Sequence, residues 1–304
     1  MNPLLRRLQR TARGQAGALF RVASKPIGGG AGLRQAALGP FGSGEPDLEG
    51  TVVLVTGASS GIGEAAARRI AADGATVLLV ARSAEALERI AGEINAVGPG
   101  TAEARPCDLA DLDAVDELCD AVLADHGAVD VLVNNAGRSI RRSVDQSGER
   151  FHDFERTMQL NYFAAIRMIL RLLPAMREQG HGQVVNVSSA GVQIRTPRFS
   201  GYIASKAALE AFSDAVQAEA LADGVRFTTI SMPLVRTPMI TPTKQYESIP
   251  ALTPEEAGRL VSEAIGGRPR RVAPPFAHIF STVDRLSPET MDTIRNRVYR
   301  MFPE

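Results

Sequence analysis

The stretch "FSGYIASKAALEAF", residues 199–212, sets a tyrosine and a lysine four positions apart, Tyr202 and Lys206, in a run whose alanines favour helix. Residues i and i+4 lie on one face of a helix, so the phenol and the ammonium project toward the same place. A phenol has an ordinary pKa of about 10. A cation about 5 Å away, at an effective dielectric near 20, favours phenolate by roughly 3 kcal/mol, about two pK units. Such a pair can hand a proton to a substrate oxygen near neutrality. Taken alone, the two residues also fit an aromatic and a cation snorkelling at a surface. The rest of the chain must decide between these readings.

A second chemical stretch is "TGASSGIGEAAARRI", residues 56–70, with Gly57, Ser59, Ser60, Gly61, Ile62 and Gly63 in sequence. Glycines between a strand and a helix let the backbone approach a pyrophosphate, whose charge meets the free N–H groups and positive end of the helix starting near Ile62. The bland alternative is a glycine-rich tight turn. Further on, "LLVARS" puts Ala81 where an NAD-preferring protein would place a carboxylate for the ribose hydroxyls. Arg82 beside it can pair with a 2′-phosphate through a charge-assisted fork, so the expected cofactor is NADPH/NADP.

The elements that must position these residues follow from hydrophobic patterning. Short β-branched runs at 51–55, 75–81, 128–134, 182–188 and 225–231 read as strands buried on both faces. Helical stretches at 62–73, 84–97, 111–125, 152–178 and 202–222 separate them. Alternating strands and helices mean βαβ crossovers and a parallel sheet, so the fold class is α/β, a doubly wound Rossmann-type single domain. Thr253, Pro254 and Glu256 spell a capping-box helix start, and Ser287-Pro288-Glu289 starts a last helix carrying Met291, Ile294, Val298 and Phe302. The expected organisation is a basic N-terminal extension over 1–50, a catalytic unit over 51–273 and a helical C-terminal extension over 274–304.

Composition narrows the function. Lys plus Arg equal Asp plus Glu at 34 each, there is no Trp and only 5% aromatics, so nothing argues for nucleic acid. The two cysteines, Cys107 and Cys119, have no histidine at metal-ligand spacing, so neither a disulfide framework nor a metal site is expected and a reducing, cytoplasmic setting is the default. Residues 1–44 differ: Arg6, Arg7, Arg10, Arg13, Arg21, Lys25 and Arg34 occur there without one acid. With Leu4, Leu5, Leu8, Leu19 and Phe20 they fit a helix lying on an anionic membrane surface, a disordered basic tail, or a targeting segment. No run of about 20 apolar residues exists to span a bilayer.

The order "TGASSGIG", "NNAG", "NVSS" and "YIASK" resembles the short-chain dehydrogenase/reductase family over roughly residues 50–240. The resemblance implies a role for each matching position. Asn134 braces the central sheet, with Ala136 and Gly137 beside the cofactor. Asp108 in "CDL" meets the adenine amino group. Asn161 in "LNYFAA" interrupts a long helix to hold a proton-relay water. Ser189 rather than Ser188 matches the catalytic serine, thirteen positions before Tyr202. Tyr202 is the proton donor, and Lys206 grips the nicotinamide ribose as well. Pro233 and Thr237 border the nicotinamide carboxamide. The family pairs its long helices, here 152–178 and 202–222, into homodimers or homotetramers.

The sequence departs from the family at Leu234, where glycine is usual, which should narrow the region beside the nicotinamide. The segments "PLVRTPMITPTK", "LTPEEAGRLVSEAI" and "RPRRVA" resemble a narrower group, the bacterial fatty acyl-CoA reductases that form aldehydes. On that reading Ile140, Val192, Ile194, Phe199, Leu234, Met239 and Ile240 form an apolar acyl site, while Arg195, Arg198, Arg236 and Lys244 meet acidic groups of a carrier. The alternatives are a 3-oxoacyl ketoreductase or secondary-alcohol dehydrogenase, and a nucleotide sensor without chemistry. The intact Asn161, Ser189, Tyr202 and Lys206 set argues against the sensor.

Overall fold

Along the first strand Val53 and Val55 face one helical layer while Leu54 faces the other, and all three are fully buried. This is period-2 alternation in a strand that is apolar on both faces, and it builds a core on each side of one sheet. The computed structural model describes residues 46–241, 246 and 249–301. The strands are β1 (Val52–Thr56), β2 (Thr76–Ala81), β3 (Thr101–Pro106), β4 (Val131–Asn134), β5 (Gly182–Ser189), β6 (Val225–Met232) and β7 (Arg271–Val272). They pair in parallel in the order β3-β2-β1-β4-β5-β6-β7. The expected doubly wound α/β fold is therefore the observed one.

One face is covered by α1 (Gly61–Ala72), α2 (Ala84–Asn95) and α8 (Pro254–Gly267), which contribute Ile70, Ile90 and Leu260 to its core. The other carries α3 (Leu112–His126), α5 (Ala164–Glu178) and α7 (Ser200–Ala220), with Val122, Met168, Leu172 and Leu209 inside. The short α4 (Phe151–Met158) runs into α5 through a π-helical turn, Gln159–Phe163. The single helix read over 152–178 is thus interrupted, with Asn161 buried at the interruption. A π turn is a common signature of a functional position in a helix. The α8 start has the expected capping box, with Thr253 Oγ1 accepting from Glu256 N at 3.2 Å and Glu256 Oε2 accepting from Thr253 N at 2.9 Å.

Four elements differ from the sequence reading. β3 and β7 extend the sheet at both borders, and the five-residue α6 (Ala190–Ile194) follows β5 at once. The C-terminal region forms two helices, α9 (Pro275–Leu286) and α10 (Pro288–Met301), with Met291 buried. No helix among the described residues is long and apolar enough to cross a membrane. Lys244, Phe302 and the basic segment up to residue 45 lie outside the described residues.

Candidate active site

The residues singled out from the sequence gather at the carboxyl ends of the strands, around the point between β1 and β4 where the strand order reverses. In an open α/β sheet this crevice is where ligands bind. At its floor the turn after β1 is drawn tight. A Cβ on Gly63 would stand 2.1 Å from the Gly57 carbonyl oxygen, so only glycine fits, and Gly61 has a left-handed φ of 59°. Ser60 precedes α1 without a side-chain cap, leaving the first-turn N–H groups directed at the crevice. Thr56 ties this turn to the next loop: its Oγ1 donates to Val133 O at 3.1 Å and accepts from Asn135 N and Ala136 N at 2.9 and 3.0 Å. Asn135 Nδ2 in turn donates to Thr56 O at 2.9 Å. A cradle this close-packed, with unpaired helix N–H groups, fits a dinucleotide pyrophosphate.

The other cofactor candidates line the same edge. Arg82, exposed just after β2, has no ion-pair partner among the described residues. Ala81 before it is buried in the core, so no carboxylate occupies that slot. Asp108 is exposed after β3, its Oδ1 accepting from Ala110 N at 3.1 Å. Thr237 closes the opposite wall, its Cγ2 3.1 Å from where a Gly61 Cβ would lie. Pro233 and Leu234 are partly buried, and the strand they leave is held by Leu252 N donating to Leu234 O at 2.9 Å.

The remaining four candidates converge above the crevice. Asn161 is locked to the loop after β4, its Oδ1 accepting from Arg138 N at 2.7 Å and its Nδ2 donating to Arg138 O at 2.9 Å. The same Nδ2 reaches Ser205 Oγ at 2.9 Å, which donates to Tyr202 O at 2.7 Å, so the π turn is fastened to the first turn of α7. Ser189 Oγ caps α6, accepting from Gly191 N at 3.0 Å. Lys206 is 3% exposed and donates from Nζ to Val187 O at 2.8 Å. Beneath it a small cavity, with room for about one water, is bordered by Thr56, Asn134, Asn161, Lys206 and Leu209. Asn134 braces β4 to β5 through Asn186, which passes the hydrogen bond to Ser213 on α7.

The electrostatics differ from the expectation. Burial pushes the Tyr202 phenol up, and a hydrogen bond with the Ser189 side chain pulls it the other way. The Lys206 ammonium donates to the Val187 carbonyl. Burial also lowers Lys206 itself to about 8, opposed by Glu210 one turn on. The sequence reading missed Thr56, Asn135, Ser205 and Glu210. The first three stand inside or beside the quoted motifs, which was their signal.

The arginines read as carrier contacts are engaged within the chain. Arg195 pairs with the buried Asp284 of α9 at 2.7 Å. Arg198 stacks on the Tyr299 ring, 4.0 Å from its centroid, and donates to Tyr299 O at 3.1 Å. Arg236 donates to Tyr246 O and Ile249 O at 2.6 and 2.5 Å. The C-terminal helices thus dock on the segment between Ser189 and Tyr202. Arg295 completes the joint, its Nη2 ion-pairing with Asp284 at 2.7 Å and its Nε donating to Ile194 O at 3.0 Å. Of the apolar candidates, Val192, Ile194 and Phe199 are partly buried there, with the Phe199 ring edge-on to Tyr202 at 6.4 Å.

Comparison with known proteins agrees with this geometry. The short chain dehydrogenase family model matches residues 51–248. An uncharacterized oxidoreductase of Mycobacterium tuberculosis is 54% identical over 257 residues, 84% of this chain and 75% of the relative. A fatty acyl-CoA reductase of Acinetobacter baylyi is 51% identical over 257 residues, 84% of this chain and 87% of the relative. Among solved structures, a metagenomic short-chain oxidoreductase in complex with NADP superposes with a TM-score of 0.64 and 30% identity, covering 75% of this chain and 99% of that one.

Proposed function

The chain belongs to the short chain dehydrogenase family and is an oxidoreductase, and from that premise we propose that it is an NADPH-dependent reductase of long-chain acyl thioesters or the aldehydes made from them. The observation that carries the reading is the gathering of Ser189, which caps α6 at the end of β5 and acts on the Tyr202 phenol, with Lys206 one helical turn beyond that tyrosine and Asn161 fastened to the same turn. When bound, a reduced nicotinamide would supply the hydride. As negative charge develops on the carbonyl oxygen, the Ser189 hydroxyl hydrogen-bonds it and Tyr202 donates the proton. With an aldehyde the proton ends on that oxygen. With a thioester the C–S bond breaks and the proton ends on the departing thiol. Lys206 and Asn161 hold the tyrosine's turn and offer a polar route for its reprotonation. Gly57, Gly61 and Gly63 would hold the pyrophosphate, Arg82 the 2′-phosphate, Asp108 the adenine and Thr237 the carboxamide.

The lipid assignment is supported by the 51% identity with a fatty acyl-CoA reductase over most of both chains. Partly buried Val192, Ile194, Phe199 and Leu234 beside the Ser189–Tyr202 pair fit it as an apolar wall. The test follows NADPH consumption with long-chain acyl-CoA, fatty aldehyde, a 3-oxoacyl thioester and a small ketone at matched concentrations. Turnover of the first two is expected. Turnover of the 3-oxoacyl compound alone would make the protein a ketoreductase, and turnover confined to the small ketone would remove the lipid assignment.

A further inference from the structure

Tyr202, Lys206, Glu210 and Asp214 recur every fourth residue along α7 and so form one stripe. Lys206 and Glu210 are both buried, 3% and 7% exposed. Consecutive residues of β5 hold these successive turns: the Val187 carbonyl accepts from Lys206 Nζ, and the Ser188 hydroxyl donates to Glu210 Oε1. From the sheet border Arg271 reaches Glu210 Oε2 at 3.5 Å and also pairs with Asp214, which takes Arg270 as well. A carboxylate at this depth is costly unless charge and hydrogen bonds meet it. Ser188 and Arg271 do so, and Lys206 lies one turn before it on the same helix.

We propose that Glu210 is a positioning residue for the reaction: its carboxylate, clamped by Ser188 and Arg271, seats its turn of α7 against the end of β5, where the neighbouring Val187 carbonyl holds the Lys206 ammonium. Glu210 also brings a carboxylate one turn from that lysine, among groups that are otherwise neutral. Its own helix presents the neutral Tyr202. β5 presents the Val187 carbonyl. The π turn presents the neutral Asn161, and the loop after β4 presents Gly137, where a Cβ would lie 3.4 Å from Nζ. Glu210 is the acid that acts on the lysine, and it opposes the burial that lowers Lys206 to about 8. Glu210 itself is faced by Ser188, Arg271 and, along its own helix, Asp214.

The assignment rests on the reading of Tyr202 and Lys206 given above, and the experiment keeps the two separable. For wild type, Glu210→Gln, Glu210→Asp, Arg271→Gln and Tyr202→Phe, kcat/KM on an accepted substrate and NADPH affinity by cofactor fluorescence are followed from roughly pH 6 to 10. In Glu210→Gln the alkaline limb, where Lys206 loses its proton, should move to lower pH by about one unit, and NADPH affinity should fall off at the same lower pH. Glu210→Asp should recover most of the shift, and Arg271→Gln, which removes a cation and leaves the carboxylate, should move the limb the opposite way by less. Profiles that superimpose on wild type would overturn the proposal. So would a loss equal at every pH that aspartate does not rescue, since that is mere structural damage. Should Glu210→Gln fail to fold, Arg271→Gln decides alone, and an unmoved limb overturns the role. Activity retained by Tyr202→Phe would instead sink the proton-donor reading, while the affinity arm would still report on Glu210.

Discussion

At Lys206 function and stability pull apart. Burial lowers this ammonium from 10.5 to about 8, so between those values the unfolded chain binds a proton that the folded chain does not. Stability therefore rises with pH across that window, and the penalty, roughly 3 kcal/mol, is fully present below pH 8. Lys206→Met should abolish reduction yet melt no lower than wild type at pH 7, with wild type gaining on the variant between pH 8 and 10.5 in paired melts. A parallel pH dependence of the two would show that the lysine is not desolvated as described. Arg82 is a simpler case, an exposed cation beside an apolar slot at the end of β2. Arg82→Ala should weaken NADPH about tenfold or more and leave NADH nearly unchanged, as removal of one charge-assisted pair requires. Titration of both cofactors checks this, and an unaltered NADPH affinity would take the 2′-phosphate away from Arg82.

Between elements, legibility followed burial and distance. β1, β2, β4, β5 and β6 could be read because each is a β-branched run covered on both faces. β3, "TAEARP", has β2 alone as neighbour, and its Glu103 and Arg105 pair with each other at 2.6 Å on a partly exposed face. A border strand that alternates charge with alanine carries no apolar run to detect. The site shows the same rule. Tyr202 and Lys206, four apart in one motif, were legible because short spacing itself encodes their geometry, whereas Asn134 and Ser189 were legible only through the family resemblance of the motifs that hold them. Glu210 and Asp284 were not, since their partners lie far along the chain: Ser188 and Arg271 for one, Arg195 for the other. The joint at Asp284 carries the docking of α9 and α10 on the Ser189–Tyr202 segment, where Arg195 and Arg198 hold left-handed φ values of 56° and 72°. Asp284→Ala takes the buried partner from the Arg295 guanidinium, whose side chain is 14% exposed, leaving it Asp292 and the Ile194 carbonyl, and should cost about 2 kcal/mol. Denaturant melts measure this. The KM for acyl substrate should rise more than kcat falls, and an unchanged KM would mean that the C-terminal helices do not shape the substrate side of the crevice.

At the scale of the whole molecule, Pro46 and Leu48 tie the chain's entry into the described fold to the helices around it. Pro46 seats against α8, its Cβ 2.6 Å from where a Gly266 Cβ would stand, and Leu48 is 6% exposed in the core. Leu48 N also donates to Asp73 O at 2.8 Å, fixing the chain's entry to the sheet beside the end of α1. Composition changes at the same place, because the seven bases among residues 1–44 have no acid beside them while the chain as a whole balances 34 against 34. An excess of cations interleaved with leucine and phenylalanine suits an anionic surface. A chain starting at Pro46 should therefore keep the melting temperature and NADPH affinity of the full chain within error. It should lose cosedimentation with vesicles containing anionic phospholipid at low salt. Sedimentation of both chains, with neutral vesicles as the control, measures the difference. Equal partitioning would leave the basic segment without a membrane role, and a truncated chain that melted several degrees lower would show that residues before 46 take part in the fold.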